Sequence, residues 1–227
     1  MSIQQGKFSQ SLIRLSVGAI AILAVSAVLL AADRGSRNGG QAPKPGRMPQ
    51  VALIQHASVE PLDNGVQGIL DSLAQRGYEH GRNINIIRYN AQGDFATANT
   101  IAKAVVGDDL DLIITASTLS MQTVAAANRT QAKPKPHLFG IVTNPFDAGV
   151  GASKENPLEH PPYLAGLGSN SPVRDLFELA VRLQPSIRTI GLVWNPAEAS
   201  SEASTLLARD VVKDLVLILM EGSAENS

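Results

Sequence analysis

The chain has 227 residues, 44% of them apolar and 17% charged, with a formal net charge of -1. That is enough for one large domain or two small ones, and too apolar for a wholly disordered chain. The near-neutral charge and 4% aromatic content leave no electrostatic or stacking footprint for nucleic acid. The absence of cysteine excludes disulfides, thiolate metal sites, cysteine nucleophiles and a bacterial lipoprotein anchor.

The N-terminus carries Lys7 and Arg14 ahead of the uncharged run LSVGAIAILAVSAVLLAA, residues 15–32. This reads as a hydrophobic helix within a segment, residues 1–32, that is a secretory signal or a membrane anchor. Basic residues also follow it, at Arg34, Arg37, Lys44 and Arg47, so charge asymmetry leaves its orientation open. Residues 33–49 are rich in Gly, Pro and Arg and read as a flexible linker. The folded part is expected to begin near Gln50, outside the cytoplasm.

The elements then follow in order. VALIQ, 51–55, is a buried strand. Leu62, Val66, Ile69, Leu70 and Leu73 recur on one helical face over 62–76, and Gly77 stops that helix. NINIIRY, 83–89, is a strand, and Asp94 caps a helix that ends at Gly107. LDLIITA, 110–116, is a strand, TLSMQTVAAANRT a helix, and HLFGIVT, 137–143, a strand. A Pro-rich crossing, 151–162, leads to a strand at 163–169 and a helix at 172–183. TIGLVWN is a strand, 198–214 a helix, and VLILM, 216–220, a last strand.

Alternating strands and helices with continuous apolar strands describe an α/β fold with doubly wound parallel sheets. There is no G-x-G-x-x-G after the first strand, no phosphate-binding G-x-x-x-x-G-K-[S/T] and no G-x-S-x-G elbow. His56, His80, His137 and His160 fall in separate elements without ligand spacing, and Asp108, Asp109 and Asp111 read as a solvated turn.

In open α/β sheets, ligands bind beyond the carboxyl ends of the strands. Four polar loops lie there. The first carries Gln55, His56 and Ser58, and the second Ser117, Thr118 and Ser120 at a helix start suited to an anion. The third carries Thr143, Asn144 and Asp147 in Asn144-Pro145-Phe146-Asp147-Ala148. The fourth follows Trp194 with Asn195, Glu198, Ser200 and Ser201, repeating Asn-Pro-x-acid-Ala. Each Asn-Pro loop also fits simple helix capping, and Trp194 suits core packing or ligand stacking alike. None of the four holds a nucleophile–base pair, which favours a binder over an enzyme.

The stretches VALIQHASVEPLDNGVQGILDSLAQRGYEHGRNINIIRYNAQGD, DLIITASTLSMQTV, GIVTNPFDAG and IGLVWNPAEASSE resemble ABC-transporter substrate-binding proteins of the tryptophan/tyrosine amino-acid type, over roughly residues 50–221. The resemblance implies a type I periplasmic-binding-protein fold. Two Rossmann-like lobes would close on a small amino-acid-like ligand and deliver it to an ABC permease, without cofactor, metal or catalysis. By position the first lobe is 50–162, with loops Gln55 to Ser58, Ser117 to Ser120 and Thr143 to Asp147. The second is 163–227, with Asn195 to Ser201. A ligand carboxylate would sit on Ser117/Thr118 and an amine near Asp147 or Glu198. The family's second lobe runs longer than this one, so an incomplete, truncated second lobe is expected here. The alternative is a membrane-anchored α/β sensor or interaction domain on the same fold.

Overall fold

The computed structural model describes residues 23–28 and 46–224. Two compact units separate at Pro45/Gly46. In the first, residues 23–28 are helical and exposed. The remainder of the 15–32 apolar segment and linker residues 33–45 lie outside the described residues. No helix among the described residues is long and apolar enough to cross a membrane.

The second unit opens with strand β1 (Gln50–Gln55), helix α1 (Glu60–Gln75), β2 (Asn85–Asn90), α2 (Phe95–Gly107), β3 (Leu112–Ala116), α3 (Thr118–Asn128) and β4 (His137–Val142). It continues with β5 (Leu164–Gly168), α4 (Val173–Leu183), β6 (Thr189–Trp194), α5 (Ala199–Asp214) and β7 (Ile218–Ser223). The first five strands form one sheet in the order β2-β1-β3-β4-β5, and β6 pairs with β7. Every pairing is parallel.

Strand alternation explains the winding. On β1, Val51 and Leu53 turn to one face, where α1 lays Val66, Ile69, Leu70 and Leu73 over them. Ala52 and Ile54 turn to the other face, joined by Ile113 and covered by Ala102, Val105 and Val106 of α2 and Val124 of α3. With both faces covered, the strand reads as an unbroken apolar run. Each fully buried aliphatic side chain contributes roughly 1.5–3 kcal/mol.

The caps match their sequence signals. Asp94 Oδ1 accepts the Thr97 N–H at 2.6 Å. Hydrogen bonding with the Thr97 side chain first, and then with the backbone of Thr97 and Ala96, holds its carboxyl below the usual range. Gly77 adopts φ +86° just after α1, where any other residue would be strained. Arg47 reaches Asp109 and Asp111, and Asp111 Oδ2 also accepts the Gln50 N–H at 2.8 Å. The acidic turn thus fastens the chain just ahead of β1.

Among the differences from the sequence reading, two bear on the topology and the chain's last turn. The strand expected to open the second lobe is β5, and it is hydrogen bonded to β4 as the edge of the first sheet. Gly166 permits this close approach, because a Cβ there would collide with the Phe139 carbonyl and ring. The last strand lies later than 216–220, at Ile218–Ser223. Val216 occupies the left-handed turn at φ +54° that a glycine would ordinarily fill, and strand geometry begins only beyond it.

β6 and β7 pack one face on α4 and α5. Phe177, Ala208, Val211 and Val212 form that small core with Ile190, Leu192 and Leu219 against it. The opposite face leaves Val193, Ile218 and Met220 exposed.

Candidate functional site

Parallel winding brings the carboxyl ends of β1, β3 and β4 to one edge, and β6 ends beside them. A cavity of about 480 Å³ lies there, lined by His56, Ala57, Val59, Leu62, Gly93, Ser117, Thr118, Leu119, Gln122, Ile141, Thr143, Ser169, Ser171, Ala197, Glu198, Ala199 and Ser200. The volume falls in the range of small-molecule sites.

Helix starts dominate the lining. Val59 precedes α1, Ser117 precedes α3 and Glu198 precedes α5. Each start leaves backbone N–H groups without intrahelical partners and carries a partial positive charge, which suits a carboxylate. At α3 the Ser117 Oγ accepts the Ser120 N–H at 3.2 Å and donates to Ser120 Oγ at 3.0 Å. Thr118 Oγ1 accepts the Thr143 N–H at 3.3 Å, joining the α3 start to the end of β4.

Acidic groups surround this edge. Asp63, in the first turn of α1, accepts from Gln55 Nε2 at 2.7 Å and Ser58 Oγ at 2.8 Å. Those hydrogen bonds, Gln55 first, hold its carboxyl below the usual range. Gln55 and Ser58 thus brace the loop and are absent from the lining. Glu198 lines the cavity and accepts from Asn195 Nδ2 at 3.1 Å. His56 lines it too, with its Nδ1 enclosed and without a hydrogen-bond partner among the described residues.

Of the residues singled out in the sequence, His56, Ser117, Thr118, Thr143, Glu198 and Ser200 come together here. Ser120 is buried behind Ser117. Asn144 and Asp147 hydrogen bond each other, and Asn144 lines a separate cavity of about 460 Å³ beside β5. Asn195 N–H donates to Ser201 Oγ at 2.9 Å, so that pair closes the β6–α5 loop. Trp194 lies 5.5 Å below the Arg209 guanidinium, which in turn grips Glu221 through two 2.8 Å hydrogen bonds. Sequence reasoning passed over Leu62, Gln122, Ile141, Ser169 and Ser171. Leu62 and Gln122 sit within helices, and the two serines follow β5, whose place in the sheet was not foreseen.

Chemically the cavity lining offers N–H groups and hydroxyls, a carboxylate, and the apolar side chains of Val59, Leu62, Leu119 and Ile141. Among the described residues, no group of His, Asp and Glu is arranged to hold a metal ion.

Comparison with known proteins bears on this arrangement. The family model described as ABC transporter substrate binding protein matches residues 50–227. A curated relative, the tyrosine-binding protein of Clostridioides difficile (strain R20291), is 34% identical over 161 residues, 71% of this chain and 44% of its own length. A conserved domain protein from Vibrio cholerae superposes with TM-score 0.71 at 31% identity, over 78% of this chain and 58% of that one. A ligand-free, open substrate-binding protein with adhesive properties from Clostridium difficile gives TM-score 0.59 at 26% identity, with the same 78% and 58% coverage. A Streptococcus pneumonia ABC domain in complex with L-Trp shares the fold, with TM-score 0.71 at 23% identity over 78% of this chain and 58% of that one. The chain therefore spans less than half of the curated relative's length and 58% of each of these solved chains. With its family match running through the whole α/β unit, the chain belongs to the ABC transporter substrate-binding protein family.

Proposed function

We propose that the chain is an extracytoplasmic solute-binding component of an ABC importer, taking a small amino-acid-like ligand and presenting it to a membrane permease. The family is typically extracytoplasmic and its members are typically not enzymes. The observation that carries the reading is the meeting of Ser117 and Thr118, at the start of α3, with Glu198 and Ser200, at the start of α5, in one cavity.

A free amino acid needs three complementary features. Its carboxylate suits the N–H groups and hydroxyls at the α3 start. Its ammonium suits the Glu198 carboxylate. Its side chain suits the apolar wall. Glu198 answers the amine better than Asp147, because Glu198 lines the cavity and Asp147 is absent from the lining. The tyrosine-binding relative makes L-tyrosine the first ligand to try.

A thermal-shift series on the full chain with L-tyrosine, L-tryptophan and the aliphatic amino acids tests the proposal. A true ligand at a hundred times its Kd adds about 2.7 kcal/mol of stability. An unmoved melting temperature across the series would remove the amino-acid assignment.

A further inference from the structure

The end of β4 is irregular in a way that the strand pattern alone does not demand. Phe139 pairs with Gly166, but Val142 pairs with Gly168, so three steps on β4 oppose two on β5. This is a bulge, and it reverses which face each later residue serves. Phe139 and Val142 both pack with Met121 and Ala148 beside α3, although strict alternation would place them on opposite faces. Ile141 instead joins the core beneath α1, with Val66 and Leu53.

Ile141 has φ +56°. A β-branched residue in the left-handed region is a true outlier, and such strain persists only where the surroundings hold it. The surroundings here are a notch in α1. Gly65 sits mid-helix, where glycine is otherwise unfavourable. A Cβ added there would overlap Ile141 Cδ1 and lie 3.0 Å from its Cγ1. The glycine therefore vacates the space into which the Ile141 side chain fits. Ile141 also lines the ligand cavity, two residues before Thr143, whose N–H is donated to Thr118 at the α3 start.

We infer that Ile141, seated in the Gly65 notch, is a positioning residue for ligand binding: it holds the β4 bulge that aims Thr143 at Thr118 and sets the apolar wall of the cavity. This rests on the cavity being the ligand site. The link runs from a helix-interior glycine, through Ile141, to the end of β4. A residue at 65 that displaces Ile141 would turn the wall and let Thr143 move off the α3 start.

The experiment compares the full chain with Gly65→Ala, Ile141→Val and the double variant. L-tyrosine affinity is measured by calorimetry, and protection of the Thr143 amide by hydrogen exchange. Ile141→Val removes Cδ1, the atom that an alanine at 65 would strike. Gly65→Ala is expected to weaken L-tyrosine about tenfold or more and to expose the Thr143 amide; Ile141→Val, which trims the wall itself, is expected to weaken it by less, and the double variant, lacking the struck Cδ1, to recover most of the Gly65→Ala loss and bind about as well as Ile141→Val. Unchanged affinity and protection in Gly65→Ala would overturn the inference. So would a loss that simply tracks melting temperature and is not relieved in the double variant. Should wild type take up no L-tyrosine, the ligand reading fails, and Thr143 protection across the same variants still decides the positioning role.

Discussion

The Thr143 N–H is donated to the Thr118 hydroxyl at 3.3 Å, tying the end of β4 to the first residue of α3. The contact is partly buried: Thr118 is only 5% exposed, and Thr143 is half-buried. One side chain thus organises both the helix terminus suited to an anion and the loop that follows β4.

Thr118→Val keeps the shape and removes the hydroxyl. It should leave the fold intact and weaken an amino-acid ligand by about tenfold, the scale of one lost hydrogen bond in a buried site. Calorimetric titration alongside a melting curve separates the two effects.

His137 is fully buried on β4, with its Nε2 2.8 Å from Thr115 Oγ1 and its Nδ1 without a partner among the described residues. Burial lowers its pKa to about 4. The native state keeps the ring neutral, while the unfolded chain takes up a proton near the ordinary histidine value. The unfolded state therefore binds more protons between about pH 6.5 and pH 4. Stability should fall on acidification through that window, by on the order of 3 kcal/mol, and this contribution should level off below it. Urea midpoints across the range should show the slope, and His137→Leu should flatten it.

Trp194 is the only tryptophan, and Arg209 stacks over its ring while gripping Glu221. The Glu221 carboxyl is held below its usual range, first by that Arg209 hydrogen bond. Arg209→Ala should uncover the ring, shift its fluorescence to longer wavelength and leave the five-stranded sheet undisturbed. An unchanged spectrum would place Trp194 in a different environment.

Core and surface leucines should separate sharply. Leu53 lies at 2% exposure in the central sheet, and Leu53→Ala should cost about 2–5 kcal/mol through lost packing and a residual cavity. Leu179 on α4 is 45% exposed, and Leu179→Ala should stay within about 0.5 kcal/mol. Chemical denaturation of both variants checks the contrast.

Much of the fold was legible because local signals agreed. The apolar spacing of Leu62, Val66, Ile69, Leu70 and Leu73 marked α1, Asp94 marked the start of α2, and Gly77 marked a stop. What escaped were choices made by tertiary contact. β5 could have opened a new sheet, and its pairing along β4, with Gly166 fitted closely against Phe139, assigns it to the first. Val216 gives no sign in sequence of adopting a glycine's backbone. The cavity was half visible. Loop residues such as Thr118 and Glu198 follow from the strand-end rule, whereas Gln122 reaches the lining from within a helix and Ile141 does so through a bulge. Polarity also selected residues that serve the loops themselves, among them Ser58, which binds Asp63, and Ser201, which accepts from Asn195.

The most direct measurement is calorimetric titration of the full chain with L-tyrosine, repeated in Glu198→Gln. The account predicts saturable one-to-one binding in wild type, weakened about tenfold or more when the carboxylate facing the ammonium is neutralised. No heat with L-tyrosine or any standard amino acid, or binding of equal strength in Glu198→Gln and Thr118→Val, would contradict it.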